Sequence, residues 1–407
     1  MTILEYLWAI AVILEGNSVY RHLTNQNLHL TLICAVVSVL LLFAQNRFRV
    51  RKGTILGVLL LLMYVFVYFA VWHRAVSREI YICTLMVGLP VMVLLFSIYA
   101  EQGAPYRLFA RMANVILILT ILSLIVWLLG SVLGVLSTNS SVRVTWGRDK
   151  IINGYFGLQY DAAKDTTYGI TLFRNQSIFA EAPMFNLWLC ISLAAECFLK
   201  EKHSKPRCLV YILGVLSTVS TTGILFLGIL FFLLYFEKLS KGKAIGKVIL
   251  GFLLIILVPA ALFLGQTIYT LKASTRSYAI RMQDFVKGFS VFKSNPVFGT
   301  GFGSLNSILS TKVNGSILSN VGYSNSIMAL LATGGLWLFV LFLLGLIGYL
   351  FKKPAKRDIA VRKFGLCYLF LYVTTIFFAR YIAFVFFALG LSLFINGRFS
   401  TKEPHSL

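Results

Sequence analysis

Charged residues are scarce in this chain of 407 residues: they make up 13% of it, whereas hydrophobic residues make up 58%. The mean hydropathy is +0.84. A soluble domain carries about 25% charged residues, so this chain cannot cover a water-exposed surface with polar side chains. The scarcity excludes a soluble enzyme, a soluble nucleic-acid-binding domain and a disordered protein. The sequence therefore predicts an all-α polytopic membrane protein.

Several motifs of metal and nucleotide chemistry are also missing. There is no Asp-x-Asp pair, the metal clamp of many nucleotide-sugar transferases, and no G-x-x-x-x-G-K-[ST] loop for ATP. The six cysteines fall in or beside apolar runs, where cysteine mostly acts as a small hydrophobe. Acidic residues that could relay protons inside the membrane are few (Glu5, Glu15 and Glu196), and all three stand near predicted helix ends. We expect no metal and no cofactor.

Long apolar runs are what the sequence does have. A transmembrane helix needs about 20 apolar residues, and on that measure we expect about twelve spans. The stretch 208–236 is too long for one crossing and has basic residues on both flanks, so we divide it at Ser220–Gly223; we divide 364–396 at Arg380. The predicted spans lie near residues 3–19, 28–45, 54–72, 80–99, 112–136, 184–199, 208–221, 222–236, 248–265, 324–350, 364–379 and 381–396.

The positive charge sets the expected orientation. The chain has 37 Lys and Arg against 14 Asp and Glu, a net charge of +23. Basic clusters fall at alternate short connections, which the positive-inside rule assigns to the cytoplasm together with both termini. The charge is then an orientation signal, and no nucleic-acid partner is required. The predicted organisation is helices 1–5 (1–136), a first long outer loop (137–183), helices 6–9 (184–265), a second long outer loop (266–323), and helices 10–12 with a short cytoplasmic tail (324–407).

The two long outer loops hold the candidate chemistry. Long loops in compact proteins are usually functional or disordered, and we expect both to be partly helical. Arg174 stands in the last part of the first loop. Arg276 and Arg281 stand in the second, where apolar residues recur at helical spacing and predict a packed helix (Tyr278, Met282, Phe285, Phe289 and Phe292). The arginine fork matches phosphate oxygens. The alternative is that these arginines anchor the loops at the headgroup layer or pair with Glu181 and Asp284.

A glycine-rich segment follows in the second loop, Asn295-Pro-Val-Phe-Gly-Thr-Gly301-Phe-Gly303. Glycines at alternate positions allow a tight backbone that either approaches a ligand or folds back beside the membrane. A dinucleotide site is excluded because no strand precedes the segment and no βαβ unit follows.

The order of several short segments resembles the O-antigen polymerase and ligase superfamily (Wzy/WaaL-type proteins) over residues 170–350. Each segment stands at or near the start of a span or within an outer loop. They are Arg174…Phe179…Pro183, Ser220-Thr221-Thr222-Gly223, Arg276…Arg281…Phe289, Asn295-Pro-Val-Phe-Gly-Thr-Gly301 and Ser324-Asn325-Ser326…Leu330…Gly334-Gly335.

The resemblance implies a GT-C-like, metal-independent membrane glycosyltransferase of the bacterial plasma (inner) membrane. Its substrate would be an undecaprenyl-diphosphate-linked oligosaccharide at the outer face. Arg174, Arg276 and Arg281 would bind the donor diphosphate and stabilise its growing negative charge. Ser324 and Asn325 would lie on the acceptor side, and Glu181 or Asp284 would be the base if one is needed.

The resemblance favours a polysaccharide polymerase, because ligases of this superfamily commonly have His-Asn where this chain has Ser324-Asn325. A polymerase would join repeat units into a capsular, exopolysaccharide or O-antigen chain, with membrane lipids around it and a flippase and a chain-length regulator as further candidate partners. The alternatives are a ligase moving a finished glycan to another acceptor and, from another class, a transporter or flippase of lipid-linked sugars. A flippase should carry its charges within the spans, whereas these lie in outer loops.

Overall fold

A computed structural model of the chain describes residues 1–24, 29–45, 50–72, 78–144, 150–161, 164–167, 170–240, 276–303, 325–350 and 356–396. This part of the chain is mostly helical. Its helices are α1 (Thr2–Leu14), α2 (Val19–Thr24), α3 (Leu30–Ala44), α4 (Lys52–Trp72), α5 (Arg78–Tyr81), α6 (Leu89–Glu101), α7 (Arg107–Val126), α8 (Ala182–Phe198), α9 (Lys205–Ser217), α10 (Thr221–Ser240), α11 (Arg276–Ser294), α12 (Ser326–Leu350), α13 (Lys356–Thr374) and α14 (Tyr381–Asn396). π-Helical turns join α5 to α6 (Ile82–Gly88) and extend α7 (Trp127–Val132).

A helix lies at each predicted span that falls within the described residues, and the span predicted at 248–265 lies outside them. Four helical rods are long and apolar enough to cross a membrane: Lys52–Val71, Arg78–Glu101, Arg107–Val132 and Ser326–Leu350. Shorter apolar helices accompany them, at Thr2–Leu14, Leu30–Ala44, Ala182–Phe198, Thr221–Tyr235 and Tyr381–Ile395. The chain is a multi-pass membrane protein, and the total of twelve crossings stays a prediction.

Both long apolar stretches contain a helix break near the predicted division, and their count as separate crossings stays a prediction. Helix α9 ends at Ser217 and α10 begins at Thr221, while α13 ends at Thr374 and α14 begins at Tyr381. The first break turns at Val219, which has a left-handed φ of 49°. This conformation is uncommon for a β-branched residue and ends the helix sharply.

The first long loop departs from the all-α prediction, because it forms strands rather than helix. Strands β1 (Ser140–Val144), β2 (Lys150–Tyr155) and β3 (Gln159–Asp161) make an antiparallel sheet in that order, and β4 (Lys164–Thr167) pairs with β5 (Ile170–Phe173) as a hairpin. The physical reason is a period of two: in β1 two buried valines alternate with exposed residues. These valines form a small separate core (Val19, Val142, Val144, Ile152, Tyr160 and Ala180).

The helix ends are sorted to two ends of the bundle. At one end, which the basic clusters predict to be cytoplasmic, buried Glu5 of α1 accepts from Arg111 Nε at 3.1 Å. At the same end buried Glu196 of α8 contacts Lys200 Nζ at 2.6 Å and Arg207 Nε at 3.0 Å. We call these contacts the inner ion pairs. The strands and the two helix breaks lie at the opposite end, which the same rule predicts to face outward and which we call the outer end.

Candidate active site

Arg174 lies at the break between α9 and α10. Its Nε donates to the carbonyl oxygen of Thr218 at 3.0 Å, and the backbone N–H of Asn175 donates to the carbonyl oxygen of Ser217 at 2.9 Å. These carbonyls belong to the end of α9, where the last C=O groups lack intrahelical partners and the helix dipole is negative. The bond uses Nε, one of the five N–H donors of the guanidinium. The helix end therefore fixes the position of Arg174 at the outer end of the bundle.

The segment after Arg174 is deeply buried and strongly hydrogen-bonded. Ser123 Oγ of α7 donates to Asn175 Oδ1 at 2.7 Å, and the backbone N–H of Ser177 donates to Gln159 Oε1 at 2.9 Å. Ser177, three residues after Arg174, has a φ of 49° and is therefore left-handed, as Val219 is. Non-glycine residues in this region cost of order 1–3 kcal/mol and are held only by their surroundings. The backbone that follows Arg174 is thus held in place by buried hydrogen bonds from α7 and β3.

The same segment ends against the link between α1 and α2. The N–H of Val19 donates to the carbonyl oxygen of Ile178 at 2.8 Å, and the N–H of Ala180 donates to that of Asn17 at 3.1 Å. Glu181 follows, half-buried, immediately before α8, and its side chain makes no capping bond to that helix. Glu181 follows Arg174 by seven residues in the sequence, and its role as a base stays a prediction.

Helix α11 contains Arg276 and Arg281, whose side chains lie outside what the structure describes. The helix itself confirms the helical part of the second loop. The prediction that the aromatic face of this helix packs is wrong for Phe285 and Phe289, which are 41% and 55% exposed. Asp284 and Val291 are buried instead. Helix α11 contacts α12. Aromatic side chains on the open face suit contact with lipid rather than with the protein core.

The glycine-rich segment folds back onto α12 and closes a kink in that helix. The N–H groups of Thr300 and Gly301 donate to the carbonyl oxygens of Ala332 and Thr333 at 3.0 and 2.9 Å. A Cβ on Gly299 would stand 2.4 Å from the backbone of Thr333. Of the two alternatives that the sequence left open, the structure therefore shows the fold-back.

The reciprocal bonds run from the second half of α12. The N–H groups of Leu336 and Trp337 donate to the carbonyl oxygens of Pro296 and Val297, at 2.8 and 2.9 Å. Gly335 has a φ of 61°, and a Cβ there would stand 2.3 Å from the carbonyl oxygen of Val297. The two glycine motifs of the sequence are thus one backbone junction, which ties the end of α11 to the middle of α12.

Asn325 is the N-cap of α12. Its Oδ1 accepts from the N–H of Met328 at 3.1 Å, the third-residue bond expected of a capping side chain. Asn325 is only 2% exposed. Its Nδ2 is buried and has no hydrogen-bond partner in the described part of the chain. Capping therefore uses only the carbonyl half of the amide, and the role of Asn325 on the acceptor side stays a prediction. Ser324 lies outside the described residues.

Residues 208–343 match a family model described as O-antigen ligase. The resemblance to the O-antigen polymerase and ligase superfamily is confirmed. No curated protein matches the chain. The superfamily segment covers about a third of the chain, from α9 to the second half of α12, and includes Arg276, Arg281, Ser324 and Asn325. Arg174 and Glu181 precede it, and convergence of the three arginines on one cavity stays a prediction.

Two further arginines, which the sequence did not single out as site residues, lie outside the segment that matches the family model. Arg21 lies in α2, and Arg380 immediately precedes α14. Burial and the nearby Arg21 lower the pKa of Arg380 to about 9, so that it is still charged near pH 7. Sequence reasoning used Arg380 only to divide two spans, and the approach of Arg21 to Arg380 across more than three hundred residues has no local signature.

Proposed function

We propose that this protein polymerises lipid-linked oligosaccharide repeat units at the outer face of a bacterial plasma membrane. The superfamily segment at 208–343 is the observation that supports this most directly. Arg174, held at the outer break between α9 and α10 by its bond to Thr218, supplies the first candidate contact to a donor diphosphate. The donor would be an oligosaccharide on undecaprenyl diphosphate.

In the proposed reaction, a hydroxyl oxygen of the acceptor sugar attacks the anomeric carbon of the donor sugar. The new C–O bond forms as the bond from the anomeric carbon to the diphosphate oxygen breaks, and the diphosphate leaves with both bonding electrons. We expect inversion of configuration at the anomeric carbon. Arg174, Arg276 and Arg281 stabilise the charge that grows on this leaving group, an interaction stronger in the transition state than in the ground state. The hydroxyl proton passes to Glu181 or Asp284, or to water.

The test of this proposal is a glycan ladder from cells that lack the native protein and express variants. Arg174→Ala, Arg276→Ala and Arg281→Ala should each abolish chain growth at unchanged abundance in the membrane. The matched control is Arg143→Ala, which removes an exposed arginine of β1 in the same outer loop as Arg174, and should give full-length polymer. Full-length polymer from all three site variants would overturn the donor assignment.

A ligase is the second candidate, favoured by the name of the matched family model. The two activities differ in product. A polymerase lengthens glycans that stay on the lipid diphosphate, whereas a ligase moves glycan of unchanged length to another acceptor. A flippase would change neither length nor attachment. Mild acid releases only the diphosphate-linked product, so chain length before and after this treatment distinguishes the three.

A further inference from the structure

Two cysteines from neighbouring helices meet at the inner end of the bundle. Cys197 is the last but one residue of α8, and Cys208 lies at the start of α9, where its N–H donates to the carbonyl oxygen of Ser204 at 3.0 Å. The two helices pack against each other, and the Sγ atoms of the two cysteines are 3.9 Å apart. We call this pair the inner dithiol. Sequence reasoning treated the cysteines as small hydrophobes, so this contact is new information from the tertiary structure.

The separation of the two sulfur atoms suits closure into a disulfide. At 3.9 Å they are in van der Waals contact, with no other atom needed between them. A disulfide bond is about 2.0 Å long, so that small rotations of the two side chains must cover a difference of about 2 Å. The pair therefore stands one side-chain movement away from a covalent link between α8 and α9.

Both thiols of the inner dithiol are partly accessible. Cys197 and Cys208 are half-buried, whereas Cys190 and Cys367 are buried in the core. The link between α8 and α9 is exposed at residues 201–203. A small polar oxidant can therefore reach the inner dithiol from the side of this link, while the core thiols are shielded.

The charges around the inner dithiol are compatible with a thiolate at Cys208. Glu196 is the carboxylate that faces both thiols. Lys200 Nζ and Arg207 Nε bind it at 2.6 and 3.0 Å, and both cations also act on Cys208. The carboxylate is thus compensated and opposes a thiolate little. Cys208 also lies at the N-terminal end of α9, where the helix dipole favours negative charge. Reactive cysteines occupy partly exposed sites with such neighbours.

We propose that Cys197 and Cys208 form a redox-active dithiol that a peroxide closes into a disulfide. The Cys208 thiolate attacks one oxygen of hydrogen peroxide, the O–O bond breaks, and the products are a sulfenic acid on Cys208 and one water, which takes up the thiol proton. The sulfur of Cys197 then attacks the sulfur of Cys208 and displaces the sulfenic oxygen as a second water, which takes up the Cys197 proton. In total the two thiols lose two electrons and two protons, and the peroxide is reduced to two waters.

The disulfide joins the inner ends of two helices whose outer ends border the candidate active site. Helix α8 begins directly after Glu181, and α9 ends beside the Thr218 carbonyl oxygen that accepts from Arg174. A cross-link removes conformational freedom from the unfolded chain. The closed form should therefore unfold at a higher temperature than the reduced form. The inference does not depend on the proposed glycan chemistry.

Peptide mapping tests the proposal on the full-length protein. Purified protein is reduced, freed of reductant, treated with a small excess of hydrogen peroxide, alkylated with N-ethylmaleimide and digested with trypsin. Cleavage after Lys200 and Arg207 places the two thiols in different peptides, so mass spectrometry sees the disulfide as a joined pair. We expect this pair to exceed any joined pair that contains half-buried Cys34 by at least about tenfold, and dithiothreitol should separate it. Equal yields, or two thiols left free to be alkylated, would overturn the proposal.

Single serine variants and thermal unfolding supply the controls. Cys197→Ser should stop at the sulfenic acid on Cys208, which dimedone traps, whereas the matched variant Cys34→Ser should form the disulfide as the wild type does. Unfolding of each reduced variant shows whether it folds. The oxidised wild type should unfold a few degrees above its reduced form, and Cys197→Ser should show no such shift. A cross-linked wild type that unfolds at or below the temperature of the reduced form would overturn the link between α8 and α9.

Discussion

The two ends of the helix bundle treat arginine differently. At the inner end Arg111 and Arg207 meet the carboxylates of Glu5 and Glu196, each 1% exposed, at 3.1 and 3.0 Å. At the outer end the hydrogen bonds from Arg174 and Arg21 go to backbone carbonyl oxygens, at 3.0 and 2.8 Å. A buried carboxylate compensates the charge of an arginine and joins two helices, whereas a carbonyl at a helix end fixes the direction in which the guanidinium points.

This difference separates structural from functional cations. An arginine whose charge is cancelled by a buried glutamate joins helices and has little left to attract an anionic substrate. An arginine oriented by a helix end holds its planar fork in a fixed direction, the geometry that matches phosphate oxygens. The same residue type therefore serves stability at one end and, in our proposal, substrate binding at the other.

The largest expected effect is at the inner end. Glu196→Ala leaves Arg207 and Lys200 without their carboxylate and should lower the free energy of unfolding by about 3–5 kcal/mol, the cost of removing one partner of a buried pair. Thermal unfolding and membrane abundance measure it. As control, Glu101→Gln breaks a more exposed pair with Arg51 and should cost at most about 1 kcal/mol. Equal losses would contradict the assignment of Glu196 as structural.

The next effect sharpens the comparison by keeping charge and removing the fork. Arg174→Lys should slow chain growth roughly ten- to hundredfold, because lysine cannot hold a helix-end carbonyl and a phosphate in one planar geometry. Arg207→Lys, the matched change at the inner end, should leave the rate per molecule within about twofold. The rate is read from a glycan ladder normalised to protein. An unimpaired Arg174→Lys variant would argue against bidentate recognition.

A smaller effect divides the two roles of Asn325. Asn325→Asp keeps a good helix cap but replaces the buried Nδ2 donor with a carboxylate oxygen, so we expect normal abundance and no polymer. Asn325→Ala removes the cap and should cost about 0.5–2 kcal/mol of stability. Abundance and ladder length are measured together. An abundant, fully active Asn325→Asp variant would remove Asn325 from the site.

The smallest effect concerns the backbone that presents Arg174. Val219→Gly relieves a left-handed valine, which costs roughly 1–2 kcal/mol, against the greater chain entropy of glycine, so a net gain of about 0.5–1 kcal/mol is expected. Thermal unfolding measures it. Leu213→Gly, in the middle of α9, should instead lose about 1 kcal/mol. Destabilisation by both changes would show that Val219 is not strained.

Much of the fold could be predicted because the membrane simplifies the problem. Apolar runs reveal helices directly, and both helix breaks follow from the limit that bilayer thickness sets on a single crossing. The first long loop was harder: its strands depend on a short alternation, Val142 and Val144, that is weak beside the helical pattern of the spans. In the second loop the sequence predicted the helix correctly but not the side of it that packs. The reason is that aromatic side chains near a membrane contact lipid as readily as they contact protein.

By itself, the sequence determined the membrane class, the positions of the described helices, the resemblance to the superfamily and the arginines of the two long loops. These are local properties, read from composition, hydropathy and short motifs. Tertiary structure alone decided that Arg174 is held by the end of α9, that two glycine motifs form one junction, and that Ser326 is bonded to the loop before α14. Each of these joins residues far apart in the chain, and their contacts are set by how helix ends satisfy their unpaired backbone groups, which no local pattern records.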